Sequence, residues 1–320
     1  YKRHIIDVVV KGEGETVIEE LMILIQTHKE SGKNIDTLMN QIRCQEFFWK
    51  VNCVYEAGKI VIDAPMLKDL NNVPKLNYKL LSPKPSLFLP RIWTSRGCTA
   101  KCAFCAPAQA LKRTFRKRTP NLVVSDIANG ISLTGSKTFL IGDLTFFHDL
   151  NHSSEICERL SDLNTGELRF WCQTRLDRVT EESARLLKQA GCKQVSVGIE
   201  TFTQDALQSN RKGQKVAWAQ KKLEILRKHD IATQSYVMIG MPEETVESTQ
   251  NTIRIVTELL LTGLLTTINP SIFVPFPGLP AHNLVKILDK NTENYEMSVF
   301  KDQNPYPVFE TNFMSRYQIR

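Results

Sequence analysis

Residues 94–107 read TSRGCTAKCAFCAP and gather Cys98, Cys102 and Cys105 into one short segment, while the chain's other five cysteines are scattered. Clustered thiols in a reducing compartment point to metal rather than to disulfides. The spacing, Cys-x3-Cys-x2-Cys, directly follows the short apolar run RIWTS at 91–95. Three thiolates on one loop can ligate three irons of a 4Fe–4S cluster, for which cysteine is the usual ligand. A structural zinc ion would ordinarily complete four ligands, and the next candidate along the chain is as distant as His148. An iron left without a protein ligand is open to a molecule from outside the protein.

Downstream of this loop, short apolar runs alternate with polar turns and amphipathic helices. RIWTS is a first strand, and Pro120 opens the helix NLVVSDIANGISL, proline being favoured in a first turn. TFLIGD, LRFWCQT, QVSVGIE, TQSYVMIG and TTINPSIFV follow as strands two to six. Helices separate them: near 152–162, over EESARLLKQA with Thr180 as cap and Gly191 as stop, on to about His229, and over ETVESTQNTIRIVTELLL. Six such βα steps define an α/β protein with a parallel sheet and crossover helices. Six such units can form an open, partial barrel, and in such barrels function sits at the C-terminal strand ends.

The flanks have another texture. HIIDVVV, the Gly-rich turn KGEGET, and then Val17, Leu21, Leu24 and Ile25 at helical spacing make one βα unit over 1–45. A single such unit cannot bury both faces of its strand, so it is expected to be the remnant of a doubly wound domain. Over 46–90, FFWKVNCVYEAGKIVIDAP reads as a hairpin turning at Ala57-Gly58, and LSPKPSLFLP as an extended linker. Residues 286–320 begin a C-terminal extension.

With 320 residues, 42% of them hydrophobic, the chain can bury one large core or two smaller ones. ELLLTGLLTTI at 258–268 is too short to span a bilayer, and YKRHIIDVVV lacks the pattern of a secretory signal. A cytoplasmic protein with no membrane partner is expected. The net charge of +7 is mild, and its densest patch, LKRTFRKR at 111–118, reads as a solvated loop. A nucleic-acid partner is not expected, because base-stacking aromatics do not interleave with this patch. Cys44, Cys53, Cys157, Cys172 and Cys192 read as small buried hydrophobes.

The cysteine spacing, with Phe104 just before the third cysteine, resembles the cluster loop of the radical S-adenosylmethionine enzymes. The resemblance spans 91–285 and implies a partial (βα)6 TIM-like barrel there, with Cys98, Cys102 and Cys105 holding the cluster and S-adenosylmethionine binding the unique iron. It implies further roles at the strand ends. Glu200 in SVGIET matches the ribose-binding acid. Gly142-Asp143 stands where a Gly-Gly-Glu-like element touches the methionine amino group, Asp143 being alternatively a helix cap. Arg175 emerges at the rim, either on the cofactor carboxylate or in a surface ion pair. Lys212 in NRKG is a second candidate for that carboxylate, or part of a solvated loop. Gly240 and Pro242 in YVMIGMPEET match a motif beside adenine, with Met238 and Ile239 either adding apolar contact or filling the core.

The flanks resemble one branch. DVVVKGEGETVIEEL, VYEAGKIVIDAP, RKRTPNLVVSDI and VPFPGLP are similar to segments of enzymes in which a cobalamin-binding domain precedes the radical barrel. The Asp-x-His-x-x-Gly cobalamin motif is absent from this sequence; Glu13 and Glu15 either line the cofactor edge or complement a helix N-terminus. The resemblance implies reductive cleavage of S-adenosylmethionine to a 5′-deoxyadenosyl radical and cobalamin-dependent methylation of an unactivated carbon. It further implies a small-molecule substrate and a reducing electron donor such as flavodoxin or ferredoxin. Radical ring closure or rearrangement in tetrapyrrole or natural-product synthesis is the alternative within the family. A non-catalytic iron–sulfur or nucleic-acid-binding protein is the alternative outside it.

Overall fold

A computed structural model describes residues 8–32, 37, 53–56, 59–80, 89–163, 166–288 and 307–319. The chain divides into two units, Tyr1–Val73 and Pro74–Arg320. In the first, β1 (Val8–Gly12) leads to α1 (Ile18–Glu30), and β2 (Cys53–Glu56) and β3 (Lys59–Ala64) form a hairpin. β1 and β3 pair in parallel, with Val8 opposite Ile60 and Gly12 opposite Ala64, giving the sheet order β1-β3-β2. Leu21 and Leu24, three apart on α1, join Val17 and close on Ile62. The boundary at residue 45 expected from sequence therefore differs from the observed division. The hairpin supplies the parallel neighbour that β1 needs, so both lie in one unit ending at Val73. The Ala57-Gly58 turn, the linker at 81–88 and the tail over 289–306 lie outside the described residues.

The second unit is built on a six-stranded sheet. Its strands are β4 (Arg91–Ile92), β7 (Thr138–Ile141), β8 (Arg169–Thr174), β9 (Cys192–Glu200), β10 (Ala232–Ile239) and β11 (Thr267–Ile272). They are adjacent in chain order and every neighbouring pair is parallel, as the alternation of runs and helices requires. The hairpin β5 (Ser95–Gly97) and β6 (Phe115–Lys117), with the short α2 (Ala106–Ala110) between, is inserted after β4. The crossovers are α3 (Pro120–Thr134), α4 (Leu150–Leu163), α5 (Glu181–Ala190), α6 (Gln204–Ser209) with α7 (Ala219–Lys228), and α8 (Val246–Leu261). Reciprocal capping boxes start α5 (Thr180 with Ser183) and α8 (Thr245 with Ser248). Left-handed Gly191 stops α5 as the sequence predicts. Among the described residues no helix is long and apolar enough to cross a membrane.

Along β8 the pleat sends Phe170 and Cys172 into the core and leaves Trp171 and Gln173 on the opposite face. The core lies between the sheet and its helices, where Phe139 stacks on Phe170 at 5.3 Å and Ile156, Leu187, Val195 and Leu223 fill the layer. The same layer brings Cys157, Cys172 and Cys192 together. Burial pushes the Cys157 thiol up, and a hydrogen bond with Cys192, reinforced by burial, does the same for Cys172. All three are almost fully buried, and a buried structural thiol is inert. These three are therefore expected to escape iodoacetamide in the native protein and to be fully labelled in guanidinium, as peptide mapping by mass spectrometry would show.

Beyond the barrel, β12 (Lys286–Ile287) pairs antiparallel with β13 (Phe309–Glu310), and α9 (Arg316–Ile319) ends the described chain. Ile319, Met314, Phe309 and Phe273 pack with Ala103, so the described end of the chain, from Phe309 to Ile319, backs the cysteine loop within the barrel unit.

Candidate active site

The cysteine loop is held in shape by backbone contacts that its sequence makes possible. Gly97, just before Cys98, sits at φ +96°, and a Cβ there would lie 1.9 Å from the Thr114 carbonyl oxygen. Glycine alone tolerates that approach. Arg113 forks onto the loop, Nη1 donating to the Ala100 carbonyl (2.6 Å) and Nη2 to the Cys102 carbonyl (3.1 Å). The Ala103 N–H donates to the Asn210 carbonyl (2.8 Å), and the Ala103 carbonyl accepts from Ala281 (3.2 Å). The basic patch at 111–118 is thus in part structural, since Arg113 clasps the loop.

Cys98, Cys102 and Cys105 all line one cleft of about 400 Å³ at the C-terminal ends of the strands. Burial raises the Cys105 thiol, and the neighbouring Cys102 and Cys98 sulfurs add to that while Lys212 opposes it. All three are free thiols. Among the described residues no three His, Cys, Asp or Glu side chains are arranged to hold a single metal ion. Three thiols around one cleft without a fourth donor suit a multi-iron cluster, where each iron takes its own thiolate, better than a zinc ion.

Opposite the cysteines, β9 ends on Glu200, which adopts φ +71° in spite of its side chain. Such strain persists where the surroundings over-determine a residue. Here Lys212 ion-pairs with Glu200 Oε1, both side chains only 8% exposed. A Cβ on Gly198 would stand 2.3 Å from Glu200 Oε1 and 2.7 Å from Lys212 Nζ, so glycine leaves the room in which the pair forms. Lys212 Nζ also lies 5.7 Å from the centre of the Phe104 ring. Arg175, at the end of β8, donates from Nε to Asp177 (2.9 Å) and from Nη2 to the Lys212 carbonyl (2.8 Å), with Nη1 3.6 Å from Cys102 Sγ. Phe104, Arg175, Glu200 and Lys212 therefore share the cleft with the cysteines.

Other sequence candidates are placed elsewhere. Asp143 is buried and turned back onto the segment that follows β4. Its Oδ1 accepts from the Thr94 N–H (2.7 Å), and its Oδ2 from the hydroxyls of Thr94 (2.5 Å) and Ser95 (2.6 Å). The carboxylate expected to meet a methionine amino group is occupied in fixing the approach to the cysteine loop. Gly142 packs against Trp93, whose ring a Cβ would meet at 2.8 Å. Ile239, Gly240 and Pro242 stand outside the residues lining the cleft. A Cβ at Gly240 would meet Ile319 at 2.5 Å, and the Gly240 and Met241 N–H groups donate to Glu244. That strand end is closed by a buried glutamate and the C-terminal helix. Glu13, offered as a cofactor-edge residue, accepts from the Leu67 N–H at 2.6 Å in the first unit.

Sequence reading missed the neutral polar residues on the inner face: Gln173, Ser196 and Tyr236 line the cleft, with the Tyr236 hydroxyl donating to Gln173 Oε1 (3.3 Å). Their signal was the period-2 alternation of β8, β9 and β10. His148 is distant from the cysteine loop in sequence, yet its Nε2 lies 3.2 Å from the Thr99 hydroxyl. Burial lowers its pKa, with Arg178 adding to the effect.

Asp143 gives a pH prediction. Burial, only partly offset by the Ser95 and Thr94 hydrogen bonds, raises its pKa from 3.8 to about 6. Between those values the folded state holds a proton that the unfolded chain has lost. The associated stability is full below the unfolded pKa and is lost as pH rises through the folded one. Urea unfolding at pH about 5 and 7.5 is expected to show wild type losing about 1 kcal/mol more than Asp143→Asn over that interval.

An open six-stranded parallel barrel, with three cysteines on the loop after its first strand, places the protein among barrel enzymes that hold a cofactor at their strand ends. The chain belongs to the radical SAM superfamily, whose family model matches residues 93–256, just over half of it. Membership brings a 4Fe–4S cluster and S-adenosylmethionine as resident cofactors, and the donor set described above fits both. The chain is 25% identical over 310 residues to the anaerobic magnesium-protoporphyrin IX monomethyl ester cyclase of Cereibacter sphaeroides, covering 92% of this chain and 48% of that protein. It is 25% identical over 255 residues to the bacteriochlorophyllide d C-12(1)-methyltransferase of Chlorobaculum tepidum, covering 77% and 53% respectively. The chain spans about half the length of these curated relatives. In fold it is similar to the cobalamin-dependent S-adenosylmethionine radical enzyme OxsB solved with aqua-cobalamin and S-adenosylmethionine bound (TM-score 0.65, 16% identity, 96% of this chain and 48% of that one). It is also similar to the radical S-adenosylmethionine methyltransferase TsrM of Kitasatospora setae (TM-score 0.53, 22% identity, 57% and 34%).

Proposed function

We propose that this chain carries the radical-generating part of a cobalamin-dependent enzyme that methylates an unactivated carbon of a small molecule. The observation that carries the radical part is the cleft itself: three thiols on one wall, with Glu200 and Lys212 on the other. When bound, the cluster supplies the electron that cleaves S-adenosylmethionine and so starts hydrogen abstraction. The chain's own residues hold and orient. Cys98, Cys102 and Cys105 would take three irons, and Glu200 Oε2, which has no partner among the described residues, is left to accept from ribose hydroxyls. Ala100, Ala106 and Pro107 keep the cysteine wall apolar, which limits water around the cofactor.

Methyl transfer is supported by the methyltransferase relative and by a likeness to a cobalamin-dependent enzyme that extends through the N-terminal unit. A donor of the flavodoxin or ferredoxin kind in the cytoplasm would supply the electron. Oxidative ring closure is a second reading, favoured by the cyclase relative, which aligns with 92% of this chain.

The test is anaerobic reconstitution, reduction with dithionite and addition of S-adenosylmethionine, with 5′-deoxyadenosine quantified. Appearance of that product supports radical initiation. Its absence from protein with an intact 4Fe–4S spectrum, across both relatives' substrates, would overturn it. S-adenosylhomocysteine formed on adding cobalamin favours methyl transfer, while 5′-deoxyadenosine without it favours ring closure.

A further inference from the structure

Arg175 is placed in the cleft, but its geometry is not that of a free carboxylate clasp. Two of its three nitrogens donate to oxygen: Nε has Asp177 at 2.9 Å, and Nη2 has the Lys212 carbonyl at 2.8 Å. These anchors on two different loops fix the plane of the guanidinium. The remaining nitrogen, Nη1, is thereby aimed at Cys102 Sγ, 3.6 Å away, within the reach of an N–H donor to sulfur. The side chain is 13% exposed, so water screens it little. Asp177, the partner of Nε, is the more exposed of the two at 25%.

We propose that Arg175 sets the reduction potential of the cluster by donating to the Cys102 thiolate. Reduction adds one electron from the external reductant and makes or breaks no bond at Arg175; the cluster and its thiolates become more negative. A fixed cation with an N–H directed at a ligand sulfur stabilises that form over the oxidised one, so it raises the potential. Hydrogen bonds to the sulfurs and local charge are the protein's known means of setting such potentials. Arg175 is then a positioning and tuning residue, and its anchor on the Lys212 carbonyl ties the cysteine wall to the Glu200 wall.

This inference rests on the reading of the cleft as a cluster site, and the test separates the two. Wild type, Arg175→Met and Arg175→Gln are reconstituted, their iron is counted, and each is titrated electrochemically without S-adenosylmethionine while the reduced cluster is followed by EPR. If wild type gives no reducible 4Fe–4S signal, the cluster reading itself falls. If it does, both variants are expected to show a ratio of reduced to oxidised cluster at fixed potential at least about tenfold lower, or about 59 mV for a one-electron couple. A ratio within about twofold of wild type, in either variant that loads iron normally, overturns the proposal. Dialysis with labelled S-adenosylmethionine is run alongside. Unchanged potential with roughly tenfold weaker binding would make Arg175 a carboxylate clasp instead.

Discussion

Cys102→Ala protein is expected to lose its full complement of iron and to form 5′-deoxyadenosine at least roughly a thousandfold more slowly than wild type, a barrier increase of ~4 kcal/mol. The expectation follows from what the substitution removes and what it leaves. The Cys102 carbonyl still accepts from Arg113, and the neighbouring Ala103 is still tied to Asn210 and Ala281. The loop therefore keeps its path, and the loss is that of one thiolate facing the cleft. Cys157→Ala is the control, since Cys157 lies in the helix–sheet layer away from the loop. It is expected to keep its cluster and its rate and to lose only modest stability, on the order of 1 kcal/mol for the small cavity. Iron analysis, the visible spectrum and product quantification check both. Full cleavage by Cys102→Ala would remove the cluster from this loop.

What the sequence reveals and what it conceals divide along a physical line. Strand and helix order are local properties. The runs at 138–141, 169–174, 192–200 and 232–239 are each apolar on one face, and Thr180, Pro120 and Gly191 punctuate the helices, so the barrel can be read off directly. The cysteine spacing is local too, as are the sites of Glu200 and Lys212. The roles of the other strand ends depend on where side chains turn in three dimensions. Asp143 has an acceptor that either a ligand or the protein can use, and the hydroxyls of Thr94 and Ser95, just after β4, reach it first. Gly240 has space that either adenine or another segment can fill, and Ile319, far along the chain, fills it. Tyr236 and Gln173 look like ordinary alternating strand residues until the barrel brings β8 and β10 to either side of β9. The pairing of β1 with β3 is non-local in the same way, since the two strands lie far apart in the chain, and no motif announces it.

Lys212→Met is expected to destabilise the protein by about 3–5 kcal/mol, the usual cost of removing one partner from a buried ion pair. Lys212 and Glu200 are each 8% exposed at the side chain, and Gly198 leaves the space in which they meet. Removing the lysine strands a carboxylate in low dielectric, with the Phe104 ring beside the space that the ammonium vacates. Glu200→Gln in the same chain removes the stranded charge, so the double variant is expected to recover much of the loss. That non-additivity, measured by urea unfolding of all four proteins, distinguishes a desolvated pair from a solvated one, whose removal would cost at most about 1 kcal/mol. High salt is expected to change the coupling little, because a buried pair is poorly screened. The pair also bears on ligand binding. S-adenosylmethionine arriving at the cleft would meet a carboxylate already held by Lys212 on one oxygen, its other oxygen pre-set for a ribose hydroxyl. Glu200→Gln alone is therefore expected to weaken S-adenosylmethionine binding by roughly tenfold, equivalent to about 1.4 kcal/mol, at iron content equal to wild type. Unchanged affinity in equilibrium dialysis would assign Glu200 to the architecture of the cleft and not to the nucleoside.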